Sequence, residues 1–185
     1  PAMSGTYTVG TGGDYPTLSA AIAAYNSSVL SGPVVFNLIN TSYAGESFPI
    51  IIDANPGASS VNTLTIRPTL AATTISGSSS TALLVLNGSD YVIVDGSVSG
   101  GANTVCPLSA ASRDLTFRNI NTSTSSAVIW LQHNGSDGAT HNLLTNLVIS
   151  GSGAANTLFG IGCGGAAIDY NSFGSGNNYN SYINN

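Results

Sequence analysis

The chain contains no lysine and only three arginines, Arg67, Arg113 and Arg118, against eight acidic residues, for a net charge of −5. A nucleic-acid ligand needs a track of cations that displaces its counterions, so this balance excludes nucleic-acid binding. Charged residues are 6% of the 185 positions, far below the roughly 25% of ordinary soluble chains. Long apolar runs are missing as well. Ile50 to Ile52 and Leu83 to Leu86 are too short to cross a bilayer. There are two cysteines, Cys106 and Cys163, and neither a Cys-x-x-Cys pair nor a Cys/His zinc spacing. Two separately buried thiols are expected, with a single disulfide as the alternative in an oxidising compartment. No basic stretch followed by an apolar run opens the chain, so no signal peptide is read. Residues 1–3, Pro1-Ala2-Met3, read instead as a protease and cloning-site remnant.

What is present is Ser, Thr, Asn and Gly, which together make up nearly half of the sequence. A hydrophobic fraction of 42% with so small a net charge excludes a disordered chain. The length suits one domain with a real core. Its polar surface is built from hydroxyls and amides rather than charges, a composition that suits a secreted, extracellular cell-surface protein.

Residues 4–33 read as a strand, a Gly-rich turn and one helix. Asp14 or Tyr15 is placed to cap the helix, and Pro16 stands early, where a missing N–H costs nothing. Leu18, Ala21, Ile22 and Tyr25 form one apolar stripe at i, i+3, i+4 and i+7. Residues 34–185 read as short strands between Gly/Ser/Asn turns, with no second helix, an all-β pattern. Four segments open with Asp or Asn followed by an apolar residue, at Asp90, Asp114, Asn142 and Asn178. A second family starts at Ala82, Ala127 and Thr157. Repeats of roughly 20–30 residues with recurring turn Asn predict stacked coils of a β-solenoid. The last repeat strand, Tyr179 to Ile183, has no cap after it, so truncation of a longer stack, or end-to-end self-association through that coil, is expected.

The segment Tyr7-Thr8-Val9-Gly10-Thr11-Gly12-Gly13-Asp14-Tyr15-Pro16-Thr17-Leu18-Ser19-Ala20-Ala21-Ile22 resembles the opening of pectin methylesterases and related proteins of the pectin-lyase-like superfamily. Gly32 to Phe36, Pro56 to Ser60, Thr63 to Pro68 and Tyr91 to Gly96 resemble large secreted surface proteins of Bacteroidetes that carry a type IX sorting domain. The resemblance implies a right-handed parallel β-helix with an N-terminal capping α-helix. It does not carry an active site over. The methylesterase pattern needs paired Gln and two Asp, and the only Gln is Gln132. The hydrolase Asn-Thr-Asp, Asp-Asp and Gly-His-Gly motifs do not occur, and a lyase reading lacks a clustered carboxylate set and a Lys base.

The strongest local constellation is His133-Asn134-Gly135-Ser136-Asp137-Gly138-Ala139-Thr140-His141. His133, Asp137 and His141 are the candidate ligand-binding residues, since two imidazoles and a carboxylate suit a ligand, a divalent metal or acid–base chemistry. With no helix to fix their spacing, a solvated turn is the preferred reading, and no metal, cofactor or catalytic residue is assigned. Asp90 and Asp114 fall on equivalent repeat positions, as do Asp95 and Asn119, so stacked carboxylates near Arg113 and Arg118 are expected. The tyrosines and Trp130 do not recur on one face in this reading. Thr6/Thr8, Thr63/Thr65 and Thr122/Thr124 have no fixed period and read as exposed strand Thr. Asn-x-Ser/Thr at Asn26, Asn40, Asn87, Asn121 and Asn134 reads as turn chemistry. The expected function is a non-catalytic adhesive or carbohydrate-contacting scaffold, with polysaccharide or cell-surface glycan as partner. The alternatives are a fragment of a polysaccharide-active enzyme and a self-associating structural element.

Overall fold

Thr17, not Asp14 or Tyr15, starts the helix in the computed structural model, which describes residues 1–100, 112–135, 137–153, 155–171 and 173–185. Helix α1 spans Leu18–Asn26, and the Thr17 hydroxyl accepts from the Ala20 N–H. Asp14 is spent elsewhere: its carboxylate accepts from the Thr8 N–H and hydroxyl, and these bonds hold its pKa below the usual value. Glu46 supplies the charge that the first turn lacks. Its oxygens accept from the Leu18 N–H at 2.7 Å, the Ser19 N–H at 2.7 Å and the Ser19 hydroxyl at 2.6 Å. The predicted stripe of Leu18, Ala21, Ile22 and Tyr25 is the buried face.

Among the described residues there are thirteen strands. They are β1 (Ala2–Val9), β2 (Val29–Leu38), β3 (Ile50–Asp53), β4 (Leu64–Pro68), β5 (Thr73–Gly77), β6 (Leu84–Asn87), β7 (Val92–Asp95), β8 (Leu115–Asn119), β9 (Ala127–Gln132), β10 (Leu143–Thr145), β11 (Leu147–Ser150), β12 (Phe159–Gly164) and β13 (Ser181–Ile183). The fold is mostly β with one helix, and the paired strands are parallel. Three sheets form, ordered β1-β2-β4-β7-β10-β13, β5-β8-β11 and β3-β6-β9-β12. From β4 onward the chain visits the six-, three- and four-stranded sheets in turn, three times, and β13 begins a fourth round. Helix α1 packs on β1, β2 and β3. At the opposite edges, β11, β12 and β13 have no further partner among the described residues.

Alternation sorts the side chains. In the six-stranded sheet Phe36, Ile66, Val94 and Leu144 are register partners and are buried, and Tyr182 continues the row on edge strand β13, where it is 46% exposed. In the four-stranded sheet Ile52, Leu86 and Leu131 are buried, and Cys163 continues that row on edge strand β12. Cys163 is therefore exposed rather than buried as expected. Cys106 lies outside the described residues. Ala2 and Met3, read as a remnant, pair with Val29 and Leu30, and Met3 is buried.

The register also revises the repeats. Asp90 and Asp114 precede strands of different sheets and do not stack, and Asp95 aligns with Thr145 while Asn119 aligns with Gly77. Asp90 instead binds Thr140, and Asp114 binds Ser112 and the Val98 N–H. Asn142 aligns with Val92 rather than Asp90, and Thr157 lies two residues before the position that matches Ala127. Polar ladders do run between strands. Asn87 donates to Asp53 at 2.7 Å and Gln132 donates to Asn87 at 2.8 Å. Asn146 donates to Asp95 at 2.8 Å, and Asn184 to Asn146 at 2.9 Å. Asn146 has φ +58°, and this left-handed corner separates β10 from β11.

Candidate functional site

Ile93, Leu143 and Ser181 are register partners on β7, β10 and β13. Two residues earlier stand Tyr91, His141 and Tyr179. Their rings form one stack. The Tyr91 and His141 centroids are 4.9 Å apart at 15°, and those of His141 and Tyr179 are 4.9 Å apart at 22°. This spacing is the distance between neighbouring strands, so the sheet itself sets the pitch of the rings. All three residues have positive φ, +55°, +56° and +58°. Residues other than Gly, Asn, Asp and His are uncommon there, and each tyrosine so placed costs on the order of 1 kcal/mol. The corner at Asn146 and Asn184 uses asparagine for the same backbone turn. Tyr91 and Tyr179 are thus not what the backbone alone selects.

A groove of about 380 Å³ runs beside the stack, lined by the three rings together with Ile93, Leu143 and Ile183 and flanked by Ser60, Thr63 and Ser181. Asn142 also borders it, but its amide is committed: it accepts from the Val92 N–H and donates to the Ser89 carbonyl and the Asn180 side chain. Among the described residues no Asp, Glu, Lys or Arg lines the groove. Tyr179 is 77% exposed, His141 is exposed and Tyr91 is half-buried.

The hydrogen bonds behind the stack fix its central ring. The Thr140 hydroxyl donates its one proton to the Asp90 carboxylate. Its oxygen lies 3.0 Å from His141 Nδ1 and can only accept there, so Nδ1 carries the hydrogen. In the neutral ring Nε2 is then left as an acceptor. Asp90 also receives the Thr140 N–H at 2.9 Å.

The three sequence candidates separate. His141 joins the aromatic stack. His133 follows β9, donates its backbone N–H to the Gly164 carbonyl and accepts from the Ser175 N–H at Nδ1, 3.3 Å away. Asp137 is exposed and closes a turn with Asn134 through backbone bonds of 2.7 and 3.1 Å. Among the described residues no three His, Cys, Asp or Glu side chains gather to hold a metal ion. The amides of Asn26, Asn40, Asn87 and Asn121 donate to Ile51, Thr11, Asp53 and Ser78, so turn and ladder chemistry uses them. Among the described residues no helix is long and apolar enough to cross a membrane.

Tyr91 and Tyr179 escape the sequence reading because anchoring the repeats on Asp or Asn shifts Asn142 by two positions. Anchoring on the aromatic residue before each strand aligns Asp90-Tyr91, Thr140-His141 and Asn178-Tyr179 and exposes the row. Comparison with protein-family models, with curated proteins and with solved structures finds no match to this chain.

Proposed function

We propose that the chain is a right-handed parallel β-helix of the pectin-lyase-like kind, capped at its N-terminal end by α1, and that it serves as a non-catalytic, carbohydrate-contacting module of a secreted cell-surface protein. The cyclic order of the three parallel sheets and the packing of α1 against β1 to β3 support the architecture. The observation that carries the function is the exposed Tyr91–His141–Tyr179 row bordering an uncharged groove. Aromatic rims, aliphatic side chains and hydroxyls in one shallow trough suit a ligand with apolar faces and many hydroxyls. A glycosidase needs two facing carboxylates, and this lining has none. The lack of lysine and the Ser/Thr/Asn surface support an extracellular setting.

Binding to a glycan array, with no release of reducing or unsaturated sugar, is the expected result. Tyr179→Ala should lower binding at least tenfold while leaving the circular dichroism spectrum unchanged, because that side chain stands on an edge strand's approach and is largely in solvent. Product release, or binding insensitive to Tyr179→Ala and Tyr91→Ala alike, overturns the proposal. Mass measured by light scattering across concentration tests the self-associating alternative.

A further inference from the structure

We infer that the ligand of the aromatic row is a neutral, extended glycan chain that lies across the strands, along the stacking direction, and is read by the rims of the three rings. The inference rests on the carbohydrate reading above and goes further in naming charge, shape and direction.

The direction follows from the sheet. The groove spans Thr63 beside β4, Tyr91 beside β7, His141 beside β10 and Tyr179 beside β13. Three strand spacings of about 4.8 Å give a trough of roughly 14 Å, the length of about three pyranose rings joined end to end. A compact or branched sugar meets only part of it.

Ring geometry decides the mode of contact. The faces of Tyr91, His141 and Tyr179 cover one another, so a sugar cannot slide between them. Beside the groove the row offers phenol, imidazole and phenol rims at a 4.9 Å pitch. Because the Asp90–Thr140 chain holds the hydrogen on His141 Nδ1, Nε2 accepts from a sugar hydroxyl. The phenols both donate and accept. Ile93 and Leu143, in line on the outer face of β7 and β10, pack against the apolar C–H surface of the chain.

Charge comes from the lining. Polyanionic glycans are recognised by Arg or Lys, and none borders the trough. The fixed charge behind the row is the Asp90 carboxylate, and the whole chain carries −5. An anionic chain is therefore repelled, and a neutral one is not.

The experiment titrates the intact chain by calorimetry with two panels. The first holds neutral β-1,4-linked oligomers of glucose, xylose and mannose, from two to six units. The second holds galacturonic and mannuronic acid oligomers of the same lengths. Affinity for at least one neutral series is expected to rise up to about three units and then level off, with the uronic acids at least tenfold weaker. Thr140→Val frees the His141 ring and should weaken the neutral ligand about fivefold, the value of one hydrogen bond. Tyr179→Phe should do likewise while keeping the stack. Ile93→Lys, pointing into the trough, should abolish binding of the longer oligomers. Uronic acids binding better than neutral oligomers, no dependence on length, or full binding by Ile93→Lys overturns the inference while leaving a carbohydrate module standing. Binding of neither panel, with a blank glycan array, overturns both readings.

Discussion

Tyr25 closes the apolar face of α1 at its C-terminal end and has a fully buried hydroxyl with no hydrogen-bond partner among the described residues. Removing it should help the protein, since an unsatisfied buried polar group costs about 1–3 kcal/mol. Tyr25→Phe is expected to raise stability by about 1 kcal/mol in urea unfolding, and a loss of stability would show that the hydroxyl is engaged. Burial pushes the Tyr25 phenol well above its usual pKa, with the Asp90 charge adding to it, and burial also raises Tyr43. Desolvation on the edge strand pushes Tyr182 up to about 12. The sign follows: these groups hold their protons more tightly when folded, so their contribution is complete below about pH 10, the unfolded value. It declines as pH rises from there through the folded values. Alkaline unfolding beginning above pH 10, and shifted upward in Tyr25→Phe, is the expected outcome of a fluorescence titration. Glu46, unlike the Tyr25 hydroxyl, is fully engaged in hydrogen bonds, a half-buried carboxylate with three donors at the start of α1. Glu46→Ala should cost about 2 kcal/mol, and an unchanged melting temperature would remove it from the cap. The stripe of α1 was legible in the spacing of its apolar residues. Glu46 was not, because its partners lie 27 and 28 positions away and nothing local marks the pairing.

The strands were legible as elements, and their neighbours were not. Short apolar runs between Gly/Ser/Asn turns mark each strand, but turns of unequal length leave the register free, and Asn serves two different jobs. At Asn146 and Asn184 it fills a left-handed corner. At Asn119 it is buried and holds a turn together: its oxygen accepts from the Ser79 and Asn121 N–H groups, and its nitrogen donates to the Ser79 and Ala127 carbonyls. A sequence pattern anchored on Asn cannot tell the two apart, which is why the aromatic row stayed hidden. Asn119→Ala strands four backbone groups and should destabilise the chain by about 3 kcal/mol. Asn146→Gly, in contrast, keeps the corner geometry and loses the two ladder bonds of that amide, to Asp95 and from Asn184, for about 2 kcal/mol. Equal losses in the two variants, measured by chemical denaturation, would contradict this division of labour.

At the scale of the molecule, stability is graded. Helix α1 covers β1, β2 and β3, whereas β11, β12 and β13 are edge strands with Ile149 and Tyr182 partly uncovered and Cys163 exposed. Amide exchange should therefore be slowest in β2, β4 and β6 and fastest in β12 and β13, falling from one end to the other. Uniform protection would mean a single cooperative unit. Salt should matter little, because eleven charged side chains are all the chain has. Going from 0.1 M to 1 M NaCl shortens the screening length from about 10 Å to 3 Å. The melting temperature is expected to move by less than about 2 °C, and a large fall would reveal ion pairing that the amide ladders do not explain.

The strand order of the six-stranded sheet has a mechanical consequence. Strands β1 and β13 form its opposite edges, and every pair between them is joined by hydrogen bonds that point from one toward the other. A force drawing these edges apart pulls along those bonds and opens the pairs in succession, like a zip, instead of shearing a whole sheet at once. Each released strand frees the chain that runs on to the next strand of the sheet, so extension proceeds in steps rather than in one event.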